Sequence, residues 1–518
     1  MLYRKRSLSF ALFALTYLTV SAQQGSDFEQ KVSYSDFLYL NNIERESQNP
    51  TSILRNTLDV SDIQLNYNYG KGNFHAIDAA KTEKDFDFLL YGIKKINKIA
   101  FEGGIQYFNE NQNDKKWNST LFVAKDNPFI LCDSINSNFS TEKFCLNGGF
   151  AYEINDRLNA GLRVNYLVGS SANQTDPRPE TNGMKFQVNP GIDYSLGSSF
   201  KIGLSGVVGW INETTEYTVV KTYDNYQVLL LNGLSDPDTK QAPGYQRRYS
   251  GNHKGGQIQL TWRKDKTENF LEAGIQQSVE EAEDGGSAQK YKGGKYKSTV
   301  LNLNDRFTIR YGKTLHNFTF NGVFNKVEGV YYQQQQHSDA NGNISWEVTD
   351  QSICHKRNDT DISLGYRWDL LSSTEVPTLT GGLTGGFRNQ ETNRFPEGYT
   401  QKYSTAYTKL FGAKRLYLKK MLITINANLE YSKRLSNKNK TEELTLESQY
   451  FTPTYEYESA SQWASNVKIQ AQHPIRLKSV LSYLGGYIEY GYSAYTGIFN
   501  SLKGESRQYF RAGINLIF

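Results

Sequence analysis

The feature that most constrains the fold is an alternation of apolar and polar residues with a period of two, which recurs along most of the chain after residue 61. In 421–431, for example, Ile423 and Ile425 alternate with Thr424 and Asn426. This is the period of a β-strand with one apolar face. Many of these segments are about ten residues long, enough to cross a bilayer at a tilt, whereas strands of soluble proteins average about five or six. The pattern predicts membrane-crossing strands.

The connections between these segments alternate in length. Short turns are predicted near 155–157, 195–198, 263–268, 312–315, 412–415 and 473–478, and long polar loops near 169–182, 211–250, 279–297, 327–357 and 434–459. Short turns at one side and long loops at the other are typical of outer-membrane barrels. The sequence therefore predicts an all-β fold, a transmembrane antiparallel up-and-down β-barrel of about 18 strands, with 16 to 20 allowed, since bacterial barrels have even strand numbers.

The number of strands predicted near the start of the chain does not fit an even total for the barrel. Four strands are predicted before the one at 143, over 62–69, 84–95, 98–108 and 116–124. An even total requires an odd number there. Either one of these strands is wrong or another has been missed in 125–141.

Composition supports the same fold. Aromatic residues make up 14% of the chain, with 36 Tyr and 43 Gly, while the mean hydropathy is −0.61. Low hydropathy with abundant Tyr and Gly suits a barrel, because only alternate residues of each strand meet lipid. After the N-terminus there is no run of about 18 apolar residues, which excludes helical spans. A secreted soluble β-protein is the alternative on composition alone.

The N-terminus is typical of a secretory signal peptide. A basic stretch, Arg4 to Arg6, precedes a short apolar stretch, Leu8 to Val20, and small residues follow, with cleavage expected after Ala22. Export to the cell outer membrane is therefore expected. The predicted organisation is a signal peptide over 1–22, an N-terminal periplasmic or plug-like segment over 23–60, and an outer-membrane β-barrel over 61–518.

The chain ends on an alternating strand, "YFRAGINLIF". Its apolar face consists of Phe510, Ala512, Ile514, Leu516 and Phe518, and Ile517 is the apolar exception on the other face. The strand resembles the signal that the outer-membrane assembly machinery reads. The expected partners are this machinery, outer-membrane lipid, lipopolysaccharide and an unknown solute or surface ligand. The balanced net charge of +5 gives no reason to expect nucleic acid.

Candidate chemistry is sparse. The six His are scattered without metal-ligand spacing, and no serine lies in a Gly-x-Ser-x-Gly motif. We therefore name no catalytic, cofactor-binding or metal-binding residue and expect no cofactor and no enzymatic activity. Cys132 and Cys145 either pair or remain free, as the odd total of three cysteines leaves both options open.

Three stretches resemble a family of outer-membrane β-barrel proteins of unknown function from Bacteroidota, Gram-negative bacteria. They are "WNSTLFVAKDNPFILCDSI" (117–135), with its Asn-Pro-Phe-Ile-Leu-x-Asp-Ser motif, the Asp-Pro-Arg-Pro segment 176–179, and the strand ending in Phe518. The resemblance implies the barrel fold and the outer-membrane location. It implies no activity.

The sequence thus favours a porin-like barrel for solute passage or surface ligand binding. The alternative is a plugged barrel that acts as an adhesin or as an accessory subunit of a surface complex, and a barrel hydrolase is a more remote one. Periodicity places these polar residues in the lumen: Arg163, Asn165, Arg306, Arg310, Asn426 and Asn428.

Overall fold

The computed structural model describes residues 28–518 except 222, 286–289, 339, 341–343, 419–420 and 478–479. The predicted signal peptide lies outside the described residues. The strands in chain order are β1 Val60–Gly72, β2 Thr82–Ile96, β3 Ile99–Lys115, β4 Leu131–Cys132, β5 Ser137–Glu153, β6 Leu158–Asn173, β7 Arg178–Ser195, β8 Phe200–Thr218, β9 Gln227–Leu230, β10 Asp238–Gln241, β11 Gln246–Lys264, β12 Thr267–Asp284, β13 Tyr291–Tyr311, β14 Thr314–Ser338, β15 Ile344–Leu371, β16 Pro377–Arg394, β17 Thr400–Leu418, β18 Met421–Lys440, β19 Gln462–Leu477, β20 Val480–Tyr495 and β21 Ser506–Ile517.

The helices are short and lie outside the strands. They are α1 Phe28–Val32, α2 Tyr34–Asn41, α3 Thr452–Glu458, 3₁₀ turns at Pro50–Arg55 and Asn500–Leu502, and a π-helical turn at Glu447–Phe451. Within the described part of the chain, no helix is long and apolar enough to cross a membrane.

Eighteen strands form one closed antiparallel barrel. Each strand pairs with its neighbours along the chain, and the ring closes where β1 pairs with both β2 and β21. At the closure, Leu65 lies opposite Ile514 on one side and Phe88 on the other. The remaining strands, β4, β9 and β10, form a small separate sheet. The predicted fold and the count of about 18 strands are confirmed.

The structure explains the mismatch in the number of strands predicted before residue 143. Three barrel strands, β1 to β3, precede β5, and they cover the predicted strands 62–69, 84–95 and 98–108. The predicted strand 116–124 is wrong, because these residues form a loop. The barrel therefore has the odd number of strands before β5 that an even total requires.

The two ends of the barrel differ. At one end, called here the turn end, β1 begins, β21 ends, and short connections such as 154–157, 196–199 and 312–313 join neighbouring strands. At the opposite end, called the loop end, lie the three longest connections, 116–136, 219–245 and 441–461.

Several predicted connections are wrong in position. The predicted turn 412–415 lies inside β17, and the predicted loop 169–182 is mostly β6 and β7. The predicted loop 327–357 is mostly strand, because β14 and β15 pair as far as Ser338 and Ile344. These strands continue well beyond the length that a bilayer requires, so polar residues on both of their faces do not mark a loop.

The two faces of the sheet have opposite chemistry. Large apolar side chains such as Ile258, Leu364 and Ile514 are more than half exposed on the outer face. Inward-facing polar side chains such as Thr261 and Glu272 are buried. An apolar exterior around a polar interior is the architecture of proteins that span an outer membrane.

Candidate functional site in the barrel lumen

Residues 28–58 are called here the N-terminal segment. The first half of this segment is held inside the barrel by apolar side chains. Phe37 and Leu38 of α2 are almost fully buried in a cluster with inward-facing strand residues. The strand contribution comes from Ile93, Leu422, Tyr483 and Ile517. Ile517, the apolar exception on the polar face of the last strand, is 1% exposed there. Its side chain packs under the N-terminal segment, which explains an apolar residue in a polar lumen.

An acidic side chain also fixes the same helix to strands β15 and β17. The carboxylate of Asp36 forms ion pairs with Arg367 of β15, at 3.0 Å, and with Arg415 of β17. Burial alone would raise the pKa of Asp36, but the two guanidinium groups outweigh burial and lower it. This carboxylate is therefore ionised at neutral pH, and it neutralises two inward-facing cations.

The second half of the segment is held by polar contacts. Glu44 pairs with Lys201 of β8 at 2.6 Å, and Arg45 pairs with Glu102 of β3 at 3.0 Å. Ser47 donates a hydrogen bond to Glu272 of β12 at 2.7 Å. Gly191 of β7 permits a close approach, since a Cβ there would lie 2.2 Å from Oδ1 of Asn49.

The N-terminal segment consequently contacts strands on all sides of the ring within a few residues of the turn end. Arg306 donates to the carbonyl of Tyr39, and Arg310 to Oδ1 of Asn41. Both arginines were predicted to line the lumen. A cavity of about 460 Å³ lies between the N-terminal segment and the barrel wall. It is lined in part by Arg163 and Asn165, which were also predicted to face the lumen.

The last two predicted lumen residues, Asn426 and Asn428, belong to β18. They lie at even-numbered positions of this strand, on the same face as the buried Leu422. Nδ2 of Asn428 donates a hydrogen bond to Oδ1 of Asn466 on β19 at 2.6 Å. The inward face of β18 therefore changes from apolar beside the N-terminal segment to polar further along the strand.

A second segment, residues 116–136, folds inward from the loop end and is called here the inward loop. Glu213 of β8, 1% exposed, accepts hydrogen bonds from the backbone N–H groups of Leu121 and Phe122, at 2.9 and 2.6 Å. Glu280 of β12 accepts from the N–H of Ala124 and from Nδ2 of Asn127. Two carboxylates from different strands thus accept hydrogen bonds from backbone N–H groups that would be paired with a neighbouring strand in a sheet.

The Asn-Pro-Phe part of the inward loop packs against the barrel wall. Oδ1 of Asn127 accepts the N–H of Phe129 at 2.9 Å and closes a local turn. Phe129 is 2% exposed beneath Gly294, which has φ +146°. A Cβ at Gly294 would lie 2.4 Å from the Phe129 ring, so only glycine suits both the backbone and the contact.

The end of the inward loop is anchored in the small sheet. β4 pairs with β9, and Cys132 is 0% exposed. Asp133 accepts from the N–H of Ile135 and from the hydroxyl of Tyr217. Burial raises the pKa of Asp133 to about 6. All three cysteines are free in the structure, so Cys132 and Cys145 do not pair.

The Asp-Pro-Arg-Pro segment serves the architecture of the loop end. Asp176 pairs with Arg178 at 2.7 Å, and its carboxylate also accepts the N–H groups of Val220 and Lys221. These hydrogen bonds from Lys221 and Val220, together with Arg178, lower the pKa of Asp176. The segment thereby ties the β6–β7 connection to the start of the β8–β11 connection.

A second cavity, called here the loop-end pocket, has a volume of about 230 Å³. The inward loop, the β1–β2 and β8–β11 connections, β15 to β17, and the 450–458 region surround it. The sequence did not indicate this pocket, since its walls come from segments far apart in the chain. Among the described residues, no group of three or more His, Cys, Asp or Glu side chains is arranged to hold a metal ion.

The chain has weak similarity to several solved structures. The RagAB peptide importer in its closed-closed state has a TM-score of 0.42 and 7% identity over 89% of this chain and 86% of that chain. BauA, the ferric preacinetobactin receptor from Acinetobacter baumannii, has a TM-score of 0.39 and 9% identity over 89% and 80%. A Pseudomonas aeruginosa FadL homologue has a TM-score of 0.32 and 9% identity over 96% and 98%. These similarities concern overall shape and do not identify a function.

No curated protein matches the sequence. A family model does match, over residues 50–518. The matched region contains the whole barrel, the inward loop and the end of the N-terminal segment. The chain belongs to the family of unknown function DUF6850.

Proposed function

We propose that this protein is a gated outer-membrane barrel that admits or binds a polar solute and is closed at rest at both ends. The carrying observation is the position of the N-terminal segment, which contacts strands on all sides of the ring through the Asp36, Glu44 and Arg45 ion pairs. The inward loop narrows the lumen at the other end through Glu213 and Glu280.

The chemistry of these contacts is compatible with displacement of part of the N-terminal segment from the lumen. Ion pairs and hydrogen bonds to carboxylates can be exchanged for water at modest net cost, unlike a continuous apolar core. The turn-end closure has apolar clusters around Phe37, Leu40 and Ile53. The Glu44 to Asn49 stretch between them is held by polar groups. Local opening of this stretch would leave the barrel ladder unchanged.

We also propose an orientation and a route. The turn end faces the periplasm, residues 1–22 are removed after Ala22, and the loop end faces the outside, where lipopolysaccharide surrounds the outer face. Phe518 exchanges two backbone hydrogen bonds with Ser61 at the ring closure. Deletion of Phe518 is expected to lower surface levels through lost recognition by the assembly machinery. Normal surface levels of that deletion would contradict this route.

A disulfide lock at the turn end tests the gate. A Cβ at Gly191 would lie 2.9 Å from Cγ of Asn49, close enough for a disulfide between cysteines at the two positions. The protein carrying Asn49→Cys and Gly191→Cys, with the three native cysteines replaced by alanine, is studied in planar bilayers before and after reduction. The single-cysteine variants are the controls: Asn49→Cys for the loss of the amide, and Gly191→Cys for the added Cβ, which would lie 2.6 Å from Cδ of Pro50.

We expect brief current steps in the unlocked protein, their loss on locking and their return on reduction. A steady current that the lock leaves unchanged would show that the N-terminal segment does not close the lumen. An unlocked protein without any current steps would favour the second candidate, a permanently closed barrel that serves as an adhesin or accessory subunit. The contacts that close the barrel at both ends are the observation that supports this second candidate.

A further inference from the structure

We propose that the loop-end pocket binds a neutral, hydroxyl-rich ligand the size of one sugar residue. This inference deepens the proposed function, because it names the class of ligand that the barrel would bind from the outside. The pocket of about 230 Å³ would hold roughly eight water molecules at about 30 Å³ each. That space suits a single sugar ring and excludes a folded partner.

An unpartnered buried histidine lines this pocket. His355 of β15 is 5% exposed, and neither Nδ1 nor Nε2 has a hydrogen-bond partner among the described residues. A Cβ at Gly233, with φ +81°, would lie 2.4 Å from Nδ1, so the β8–β11 connection is built tightly around the ring. Neither nitrogen is accessible to water, so the ring forms part of the pocket wall, and the hydrogen bonds to a ligand come from other residues.

The remaining polar groups offer both donors and acceptors. Arg357 donates from Nε to Asp359, and within the described part of the chain its two terminal nitrogens make no hydrogen bond. Glu458 accepts from Gln390 and Tyr403 through Oε2, which leaves Oε1 available to a ligand. A hydroxyl group donates to a carboxylate and accepts from a guanidinium, so a sugar matches both.

The charge of the pocket argues against a simple anion. Its walls contain the cations Lys125 and Arg357 and the carboxylates Asp78, Asp126 and Glu458. Asp126 accepts hydrogen bonds from the neutral side chains of Tyr296 and Asn325. An anionic ligand would meet more negative than positive groups, whereas a neutral ligand avoids that repulsion.

Aromatic surface completes the site. Tyr450 and Tyr457 line the pocket, and each is fixed by a ring on another element: Tyr450 by Trp117 at 5.2 Å and Tyr457 by Phe74 at 5.2 Å. Rigid tyrosine rings supply apolar surface for the C–H face of a sugar at little cost in side-chain entropy. The position of Tyr450 depends on Trp117 of the inward loop, which joins the pocket to the closure of the loop end.

The test is binding of small probes to the full-length barrel in detergent, followed by saturation-transfer NMR. The probes are glucose, galactose, mannose and N-acetylglucosamine, with glycine as a zwitterion and succinate as an anion. The variant Arg357→Gln removes the guanidinium from the pocket. Arg388→Gln is the matched control, because Arg388 lies on the neighbouring strand β16, pairs with Asp361 and does not line the pocket.

We expect at least one of the sugars to bind, and Arg357→Gln to weaken its binding about tenfold while Arg388→Gln leaves it unchanged. Equal weakening by Arg357→Gln and Arg388→Gln, binding of glycine or succinate alone, or no binding by any probe would overturn the proposal. The gate itself is judged separately by the disulfide lock, so either idea can fail alone.

Discussion

The Glu213→Gln variant should open the inward loop. Glu213 accepts two backbone N–H groups through different carboxylate oxygens, at 2.9 and 2.6 Å, in a position that is 1% exposed. A glutamine side chain has one acceptor oxygen, and its NH₂ group would face the second N–H. The variant therefore loses one charge-assisted hydrogen bond, about 1.5–3 kcal/mol, and leaves a buried donor unsatisfied, about 1–3 kcal/mol.

Together these losses come to about 3 kcal/mol, taken near the low end of both ranges because the loop can relax. Since every 1.4 kcal/mol is a factor of ten, the ratio of open to closed loop should rise roughly 150-fold. The loss of stability falls on the inward loop alone. The barrel ladder around Glu213 is unaffected, because β8 keeps its pairing with β7 and β11.

The thiol of Cys132 provides the assay. It lies on the inward loop and is 0% exposed, and burial raises its pKa well above the usual range. In a background in which Cys145 and Cys354 are replaced by alanine, maleimide can reach this thiol only when the loop opens. The labelling rate then follows the open fraction, so Glu213→Gln should label roughly 150-fold faster than the parent protein.

Glu216→Gln is the matched control, since Glu216 lies three residues further along the same strand on the outer face and is exposed. It should label at the parent rate. If Glu213→Gln labels no faster than Glu216→Gln, the two carboxylate contacts do not hold the inward loop, and the account of the loop-end closure is refuted.

Three further outcomes are expected. Phe37→Ala should make the N-terminal segment sensitive to protease in the folded barrel, because truncating a buried Phe costs about 3–5 kcal/mol; resistance equal to that of the parent would contradict the docking. Gly294→Ala should lower the Tm more than Gly312→Ala, since both have positive φ but only the first would place a Cβ against Phe129. Equal decreases in Tm would mean that backbone strain alone accounts for both, and that the contact with Phe129 contributes nothing. Because burial raises the folded-state pKa of Asp133 to about 6, the inward loop should be most firmly closed below about pH 4 and loosen as pH rises towards 6, measured by hydrogen exchange corrected for intrinsic rate; firmer closure with rising pH would reverse the sign.

The barrel could be predicted from the sequence because period-two alternation is visible within the residues of each strand. The inward loop could not be predicted, because its conformation depends on partners far away in the chain. Residues 117–124 contain apolar residues spaced as in a strand, yet the N–H groups of Leu121 and Ala124 bond to carboxylates 92 and 156 residues away. The predicted turn at 412–415 failed for a related reason. Its glycine and charged residues suggest a surface turn, but Arg415 points inward to Asp36.

Inward-facing apolar residues were the available signal for the turn-end closure. A water-filled lumen gives no reason for Leu315, Leu371, Leu422 and Ile517 to occupy polar-face positions near the turn end. Each is nearly fully buried against α1, α2 or the residues around them. In a barrel sequence, apolar residues on the otherwise polar face within a few residues of the short turns therefore indicate a segment docked inside. Here that pattern marks the strands that carry the N-terminal segment.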